Sequence, residues 1–229
     1  MTPSLPEPAA NDNRRSARKR EAILAAATTT FFRKGYLGTS MDEIAALAAV
    51  SKQTVYKHFA DKERLFTEIV VGTVTEASGP VALAVLDLRE SVDLETDLRD
   101  LARRQLAIVM TPRLLQLRRL VIGEAGRFPE LGRTFYERGP ERTIEALATA
   151  FRRLARRGML RAADPRLAAA HFNWLVMSIP LNQAMFLGDD EPATAVELDR
   201  YADAGVRAFL AAYGRGSSSS ASANRISRS

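Results

Sequence analysis

The sequence contains no cysteine and only two histidines, His58 and His171. Without cysteine the chain can form no disulfide, no thiolate zinc site and no thiol-based redox sensor, which fits a cytoplasmic protein. The sequence also lacks a Glu-x-x-His pairing of the di-iron type and a glycine-rich phosphate-binding loop. These absences argue against an enzyme and against a bound cofactor.

An acidic cluster, Asp189 to Glu191, could suggest a metal site. It precedes Pro192 and the start of the last predicted helix, where carboxylates commonly cap a helix or complement its dipole. We therefore interpret the cluster as a helix cap and predict no bound metal.

Strand signals are almost absent, and helical patterns follow one another from Arg18 to Tyr213, separated by glycine, proline and capping residues. The fold is therefore predicted to be all-α. With 46% apolar residues among 229, the chain can form a sizeable core and about two domains. The polar segments 1–13 and 215–229 are predicted to be a disordered leader and a disordered tail, and the leader lacks the apolar run of a secretory signal.

Two features interrupt the helical patterns in the middle of the chain. Asp61 is predicted to cap a fourth helix, which Gly79 and Pro80 break or kink. The aromatic-rich segment 128–136 is predicted to be a short connection, after which Pro140 opens the next helix.

Two short helices joined by a tight turn are predicted near residue 50. Ser40 and Glu43 have the spacing of a capping box, in which each side chain bonds the other residue's backbone amide. Ser51 is expected to cap a second helix in the same way. Ala49 and Val50 form the turn between them.

The second helix has a buried face and a polar face. Val55 and Phe59, four residues apart, are expected to face a core, which leaves a polar, aromatic and basic surface of Lys52, Gln53, Tyr56 and Lys57. On a helix docked in a major groove, such side chains contact phosphates and base edges. A solvated face is the simpler interpretation of a lone amphipathic helix. A third helix upstream, from residue 18 to 34, completes a small core and favours DNA binding.

Positive charge is concentrated around this motif. Of the net charge of +6, the first 64 residues carry +4, with 11 basic and 7 acidic residues. The basic run from Arg14 to Arg20 could follow the sugar-phosphate backbone, although such runs are often only solvated tails. The remaining chain is nearly balanced, which argues against a second nucleic-acid surface.

The segment from Gly35 to Phe66, G-Y-L-G-T-S-M-D-E-I-A-A-L-A-A-V-S-K-Q-T-V-Y-K-H-F-A-D-K-E-R-L-F, resembles the DNA-binding segment of the TetR/AcrR family of bacterial transcriptional regulators. The resemblance implies a helix-turn-helix domain at 14–64, followed by a regulatory and dimerisation domain at 65–214. Most relatives carry glycine at the position of Ala49, so the turn is expected to differ slightly here.

The resemblance also assigns roles to individual residues. It implies that Lys52, Gln53 and Thr54 lie near base edges, and that Tyr56, His58 and Lys62 touch phosphates, as Thr39 and Ser40 also would. Together with the residues inferred above, the predicted DNA-binding set is Arg18, Thr39, Ser40, Ser51, Lys52, Gln53, Thr54, Tyr56, Lys57, His58 and Lys62.

Three segments in the C-terminal half, R-L-V-I-G-E-A-G-R-F-P-E-L, the following F-Y and G-M-L-R-A-A-D-P, resemble the regulatory domain of AefR-like members. The family mechanism implied is that a small molecule enters the helical bundle and changes the spacing of two DNA-binding domains. The predicted ligand-binding residues are Met110, Tyr136, Phe151, His171, Trp174 and Met177. Simple core packing is the competing interpretation for the aromatic and methionine side chains. Asn173 could supply a further polar contact, and for it and His171 a satisfied internal hydrogen bond is the alternative.

The segment from Leu167 to Leu187 is apolar on nearly every side. A membrane span is rejected because polar residues and Pro180 interrupt the run, whereas a span needs ~20 predominantly apolar residues. The excess apolar surface needs another partner. The resemblance implies a homodimer through this helix and the last one, Ala193 to Tyr213, and a two-fold dimer in turn predicts a palindromic operator on double-stranded DNA.

The predicted function is thus a cytoplasmic, ligand-responsive repressor with an all-α fold, in which a three-helix helix-turn-helix domain precedes a helical bundle for ligand binding and dimerisation. A DNA-binding regulator that takes no small molecule, and is controlled by a protein partner through its helical domain, is the alternative that the sequence leaves open.

Overall fold

The computed structural model describes residues 8–188 and 193–215. Within these residues the chain forms ten α-helices and no strand, so the predicted all-α fold is confirmed. The helices are α1 Pro8–Lys34, α2 Met41–Leu47, α3 Lys52–His58, α4 Lys62–Asp87, α5 Leu94–Val109, α6 Pro112–Glu124, α7 Pro129–Tyr136, α8 Arg142–Arg156, α9 Pro165–Leu187 and α10 Ala195–Tyr213. A short 3-10 turn, Leu88–Glu90, follows α4, and a π-helical segment, Glu137–Glu141, follows α7.

The predicted helix starts are largely confirmed by their caps. Ser40, Ser51 and Asp61 accept hydrogen bonds from the backbone amides three residues later. Asp164 caps α9 in the same way. The interpretation of the acidic cluster 189–191 as the cap of the last helix is wrong, because the N-cap of α10 is Thr194, which forms a complete capping box with Glu197. These contacts satisfy amides that a helix N-terminus otherwise leaves unpaired, so short local motifs define where the helices begin.

Several predicted boundaries are wrong. Helix α4 continues through Gly79 and Pro80 and ends at Asp87, so the predicted break is wrong, while the kink stays a prediction. The segment 128–136 contains helix α7, and Pro140 lies in the π-helical segment ahead of α8. Proline fits the first turn of a helix because its missing amide donor is not needed there, and Pro129 supplies the start signal that opens α7.

The predicted termini fall partly outside the described residues. Helix α1 begins at Pro8, so the expectation of disorder is wrong for residues 8–13. The segment 8–13 contains two alanines and no glycine, and it continues directly into the helical pattern that follows. Residues 1–7, the tail 216–229 and the acidic cluster 189–191 lie outside the described residues.

The described residues form two compact units. Unit 1 takes the residues up to Gly79 together with Thr111–Glu141, and unit 2 takes Pro80–Met110 together with the residues from Arg142 onward. The predicted boundary between the DNA-binding and regulatory domains, after residue 64, concerns function and not packing, and it stays a prediction. The packing places α6, α7 and the part of α4 up to Gly79 in the same unit as α1 to α3.

Each unit has its own apolar core. In unit 1, Phe31 and Phe66 pack with ring centroids 4.8 Å apart, and Tyr36 lies within 5.3 Å of Phe66. In unit 2, the buried rings of Phe151, Phe172 and Phe209 lie 5.2 to 5.8 Å from one another. Aromatic groups at these distances add directional contacts to the burial of apolar surface.

One described segment, Lys62–Glu90, is long and apolar enough to cross a membrane by length and composition alone. Several of its apolar residues have partners inside the protein: Leu65, Phe66 and Ile69 belong to the core of unit 1, and Val81 and Val85 to the core of unit 2. Core packing therefore accounts for part of the apolar composition of α4, whereas Leu83 and Leu86 are exposed.

Candidate nucleic-acid interface and regulatory core

Helix α3 is anchored in unit 1 on one side only. The Ser51 side chain accepts a hydrogen bond from the Thr54 amide at 3.2 Å, and the two hydroxyls lie 2.8 Å apart. Val55 and Phe59 are buried at 0% and 3% exposure in the core of unit 1. These contacts fix the orientation of α3, so its opposite face is held in one position.

The opposite face of α3 carries the predicted recognition residues. Lys52, Gln53 and Lys57 are exposed, and Tyr56 is 44% exposed. The Lys52 ammonium lies 2.8 Å from a carboxylate oxygen of Asp42, and this hydrogen bond raises the pKa of Lys52. An exposed pair of this kind contributes little to stability, so a DNA phosphate can compete for the ammonium. The surface thus has the donors, the amide and the phenol that the DNA-binding hypothesis requires.

The turn between α2 and α3 is closed by two backbone hydrogen bonds. The Val50 amide donates to the Ala45 carbonyl at 3.0 Å, and the Ala49 amide donates to the Ala46 carbonyl at 3.2 Å. This arrangement places Ala49 in the left-handed region, with φ of 52°. Ala49 is the one non-glycine residue with a positive φ in the part of the chain that the structure describes. The turn therefore keeps a glycine-type conformation in a chain that has alanine there, at a cost of about 1 kcal/mol.

Lys62 and Thr39 turn inward to organise the loop ahead of α2. The Lys62 ammonium donates to the Tyr36 and Thr39 carbonyls at 2.9 and 2.8 Å and lies 4.4 Å from the Tyr36 ring centroid. Burial lowers the pKa of Lys62. The buried Thr39 hydroxyl donates to the Gly35 carbonyl at 2.8 Å. Both side chains are therefore engaged within unit 1, whereas Ser40, which caps α2, is exposed.

Glu43 does not complete the predicted capping box. Its carboxylate lies 3.0 Å from Arg33 and 2.8 Å from Lys34, and the hydrogen bond from Lys34 lowers the pKa of Glu43. The carboxylate meets two opposite charges at the end of α1, whereas the Ser40 amide would offer a hydrogen bond without a charge on the donor. Glu43 thus ties α2 to α1.

The basic run of α1 lies within electrostatic reach of α3. Burial, followed by the charges of Lys57, Arg20 and Lys19, lowers the pKa of His58. Arg20 lies 5.3 Å from the Phe59 ring centroid and forms an ion pair with Glu68. Arg18 is exposed. Of this run, Arg20 is engaged within unit 1, and Arg18 is open to solvent.

The predicted ligand-binding residues divide between the two units. Tyr136 belongs to unit 1 and is 45% exposed, whereas the other five belong to unit 2. Phe151 and Met177 are buried in the core, and Met110 packs against it while partly exposed. Trp174 is half-buried. His171 is exposed on α9, and its Nδ1 atom lies 2.6 Å from the Tyr213 hydroxyl. This is the internal hydrogen bond predicted as the alternative to a ligand contact.

Sequence reasoning missed one polar residue in the core of unit 2. Gln105, 3% exposed on α5, donates from Nε2 to the Oδ1 atom of Asn173, 0% exposed on α9, at 2.8 Å. Gln105 lies on the helical face that Leu98 and Leu101 bury, and a single amide on an apolar face is the signal that could have found it.

Helices α9 and α10 also carry apolar residues on their outer faces. Leu175, Ile179 and Phe186 on α9 are 43%, 54% and 83% exposed, and Val196 at the start of α10 is 79% exposed. Apolar residues repeated along one helix face favour an interaction surface over scattered exposure.

Comparisons with known proteins agree with these features. Residues 23–69 match the bacterial regulatory proteins of the TetR family, and residues 96–215 match the AefR-like transcriptional repressor C-terminal domain. A solved TetR-family transcriptional regulator from Mesorhizobium loti is 48% identical, with a TM-score of 0.82, and the match covers 88% of this chain and 99% of that one.

Two further relatives differ in how much of their length the match covers. The solved flavonoid-responsive regulator FrrA is 33% identical, with a TM-score of 0.67, over 86% of this chain and 98% of that one. The HTH-type transcriptional regulator YhgD of Bacillus subtilis is 45% identical over 58 residues, which are 25% of this chain and 30% of YhgD. The chain therefore spans about a third of the length of this curated relative.

Proposed function

Because the chain belongs to the TetR family of bacterial transcriptional regulators, we propose that it is a ligand-responsive repressor that binds a palindromic operator as a homodimer. It is a DNA-binding regulator and not an enzyme. The single observation that carries the proposal is the polar face of α3, which is exposed while Val55 and Phe59 hold the other side in the core. We place its action in the cytoplasm.

The exposed face of α3 supports a division of roles in DNA binding. Lys52, Gln53 and Thr54 lie in the first turn of the helix, the part that reads base edges when a recognition helix enters the major groove. Tyr56 and Lys57 lie further along and would hold phosphates, with His58, Arg18 and Ser40 at the margin. Ser51 fixes the start of the helix through its cap.

Lys62 and Thr39 take a supporting role in this proposal. Because their polar groups bond the loop at residues 35–39, they would act on DNA by shaping the entrance to α2. Any phosphate contact from Lys62 would use its one remaining donor.

The exposed apolar faces of α9 and α10 support dimerisation through these two helices. Pairing with a second copy would bury Leu175, Ile179 and Phe186, which are costly to leave in water. A two-fold pair of α3 helices would read half-sites ~34 to 36 Å apart, or a multiple of that spacing.

Unit 2 is the proposed receiver of the small molecule. The match to the AefR-like C-terminal domain covers most of it, and the relative FrrA is named for its response to flavonoids. Flavonoids are therefore the first effectors to test. The effector must favour one conformer, and a coupling of about 1 to 3 kcal/mol would change operator affinity by about 5 to 150-fold.

Selection of bound duplexes from a random pool with the purified protein tests the proposal. We expect a palindrome that is retained with competitor DNA present. Gln53→Ala should relax discrimination at one position in each half-site, and Lys57→Ala should weaken all duplexes and reduce the salt dependence by about one phosphate. Arg152→Ala, an exposed charge in unit 2, is the matched control and should change neither property. Uniform binding to all duplexes would contradict sequence-specific repression. Tight operator binding that no small molecule reverses would favour control by a protein partner.

A further inference from the structure

The core of unit 2 holds a pair of amides whose hydrogen bonding is half complete. Gln105 Nε2 donates to Asn173 Oδ1 at 2.8 Å, which joins α5 to α9. Gln105 Oε1 and Asn173 Nδ2 are both buried and have no hydrogen-bond partner. Exchanging the oxygen and nitrogen positions of both amides changes nothing in this balance, because one acceptor and one donor would still be left over.

Unpaired polar atoms are costly in such surroundings. Both amides lie among apolar side chains: Leu101, Ala102 and Leu106 surround Gln105 along α5, and Ala169, Val176 and Met177 surround Asn173 along α9. A buried polar group without a partner opposes folding, and most native proteins satisfy such groups. A leucine or methionine at either position would avoid the cost, so packing alone does not account for the pair.

Among the described residues, no charged side chain of unit 2 is fully buried. Arg89 and Arg99, whose Nε atoms are buried, are only partly buried as residues. Among the described residues of this unit, the buried polar side chains are those of Ser91, Gln105 and Asn173, all of them neutral. A charged ligand group would find no fully buried counter-ion in this core, and burying it would be strongly unfavourable. The chemistry selects a molecule that is uncharged and mostly apolar.

From these observations we propose that Gln105 and Asn173 form the polar anchor of the effector site. The ligand is an uncharged, largely apolar molecule with one acceptor, which takes the Asn173 Nδ2 donor, and one hydroxyl or amide donor, which takes the Gln105 Oε1 acceptor. This inference rests on the proposed small-molecule response, and it names the chemical class and the residues that recognise it.

The position of Gln105 connects the anchor to the rest of the chain. Gln105 lies one turn before the end of α5 at Val109, and the chain passes from unit 2 to unit 1 after Met110. A ligand that engages both amides bridges α5 and α9 and so acts on the helix that leads out of unit 2. The hydrogen bonds from the ligand to the two amides exist in the bound state and are absent in the free state, and a coupled response requires such a difference.

Calorimetric titration with two probes tests the anchor. The first probe is 4′-hydroxyflavone, which has a ketone acceptor and a phenol donor, and the second is flavone, which has the same ketone and lacks the phenol. We expect the wild-type protein to bind 4′-hydroxyflavone more tightly than flavone. In the double variant Gln105→Met, Asn173→Leu, affinity for 4′-hydroxyflavone should fall about tenfold or more, and the difference between the two probes should disappear.

The control variant is Gln116→Met, which removes a half-buried amide in unit 1 that donates to the Phe32 carbonyl at 2.6 Å. It should bind both probes as the wild type does. Circular dichroism checks that each variant is folded, and the single variant Gln105→Met replaces the double variant if the latter does not fold.

Three results would overturn the anchor: equal binding of 4′-hydroxyflavone by the wild type and the folded variant, equal losses in the variant and in Gln116→Met, or no binding of either probe to the wild type. The titration contains no DNA. A protein that selects a palindrome but fails this test refutes the anchor alone, whereas one that passes it but binds all duplexes alike refutes the proposed repressor function.

Discussion

Unit 1 and unit 2 differ in how they satisfy their interior polar groups. In unit 1, the hydroxyls of Thr30 and Thr39, the Gln116 amide and the Lys62 ammonium all donate to backbone carbonyls. Among the described residues, every buried side-chain nitrogen or oxygen without a hydrogen-bond partner belongs to unit 2. These atoms are in Arg89, Ser91, Arg99, Gln105 and Asn173. The hydrogen bonds of unit 1 hold the surface of α3 in place, whereas unit 2 keeps donors and acceptors that a ligand could use.

This difference fits the proposed division of labour. A surface that reads DNA gains from being held in its binding geometry before contact, because less freedom is lost on binding. A unit that responds to a ligand must gain an interaction that the free state lacks. Four changes test how far the contrast extends, beginning with the largest expected effect.

The first test concerns the rigid part of unit 2. A Cβ atom at Gly205 in α10 would lie 3.0 Å from the Leu175 carbonyl oxygen and 3.1 Å from the Val176 Cα atom. Gly205→Ala should therefore lower the free energy of unfolding by about 1 to 3 kcal/mol, because two backbones must separate. Urea denaturation at fixed protein concentration measures the change.

Gly72 in α4 provides the control for Gly205. It is exposed, and a Cβ atom there would have nothing within 4 Å. Gly72→Ala should raise the free energy of unfolding by about 0.5 to 1 kcal/mol, since alanine loses less backbone freedom on folding. Similar effects of the two substitutions would mean that α9 and α10 are not closely packed at Gly205.

The second test removes the bonds that hold the loop of unit 1. Lys62→Met keeps much of the side chain's length but leaves the Tyr36 and Thr39 carbonyls without the ammonium. We expect about 1 to 2 kcal/mol less stability and about tenfold weaker binding to every duplex. Arg64→Met removes an exposed charge two residues away and should change both much less.

Fluorescence anisotropy with a labelled operator and denaturation of the free protein measure the two effects of Lys62→Met. Weaker DNA binding with unchanged stability would show that Lys62 acts mainly by direct phosphate contact. Its hydrogen bonds to the Tyr36 and Thr39 carbonyls would then no longer support the contrast between the two units.

The third test concerns the strained turn before α3. Ala49→Gly should raise the free energy of unfolding by about 0.5 to 1 kcal/mol, because glycine adopts a φ of 52° without strain. Ala46→Gly, at an exposed site inside α2, is the matched control and should lower it by about 1 kcal/mol. Thermal unfolding measures both. A destabilising effect at Ala49 would mean that the turn is not strained in solution.

The fourth and smallest test uses pH. The pKa of His58 lies below its ordinary value of 6.5, so the folded protein binds fewer protons here than the unfolded chain does. The contribution of His58 to stability is therefore complete above pH 6.5 and is lost as pH falls from 6.5 towards the lower folded pKa. DNA phosphates favour the protonated ring, so operator affinity should rise as pH is lowered from about 7.5 to about 6.

His58→Gln removes the titrating group and should flatten both pH profiles in that range. Denaturation and anisotropy at constant ionic strength measure the two profiles. A wild-type operator affinity that does not change with pH would place His58 away from the phosphates.

The DNA-binding unit could be predicted in more detail than the regulatory unit. Ser40, Ser51 and Asp61 act on amides three residues away, so their roles are visible in any short stretch of sequence. The ligand-binding residues are predicted from residue type, and residue type does not separate a ligand contact from the core packing seen for Phe151. Tyr136 shows the same difficulty, because it belongs to a different unit from the other five.

The sequence by itself determined the all-α class, the starts of α2, α3 and α4, and the face of α3 that meets solvent, because caps and helical periodicity depend on neighbours within one or two turns. Only the tertiary structure decided which distant groups bond to each other. Lys62 reaches carbonyls 23 and 26 residues earlier, and Gln105 meets Asn173 across 68 residues. Such pairs follow from how helices pack, since packing brings side chains together without regard to their separation along the chain.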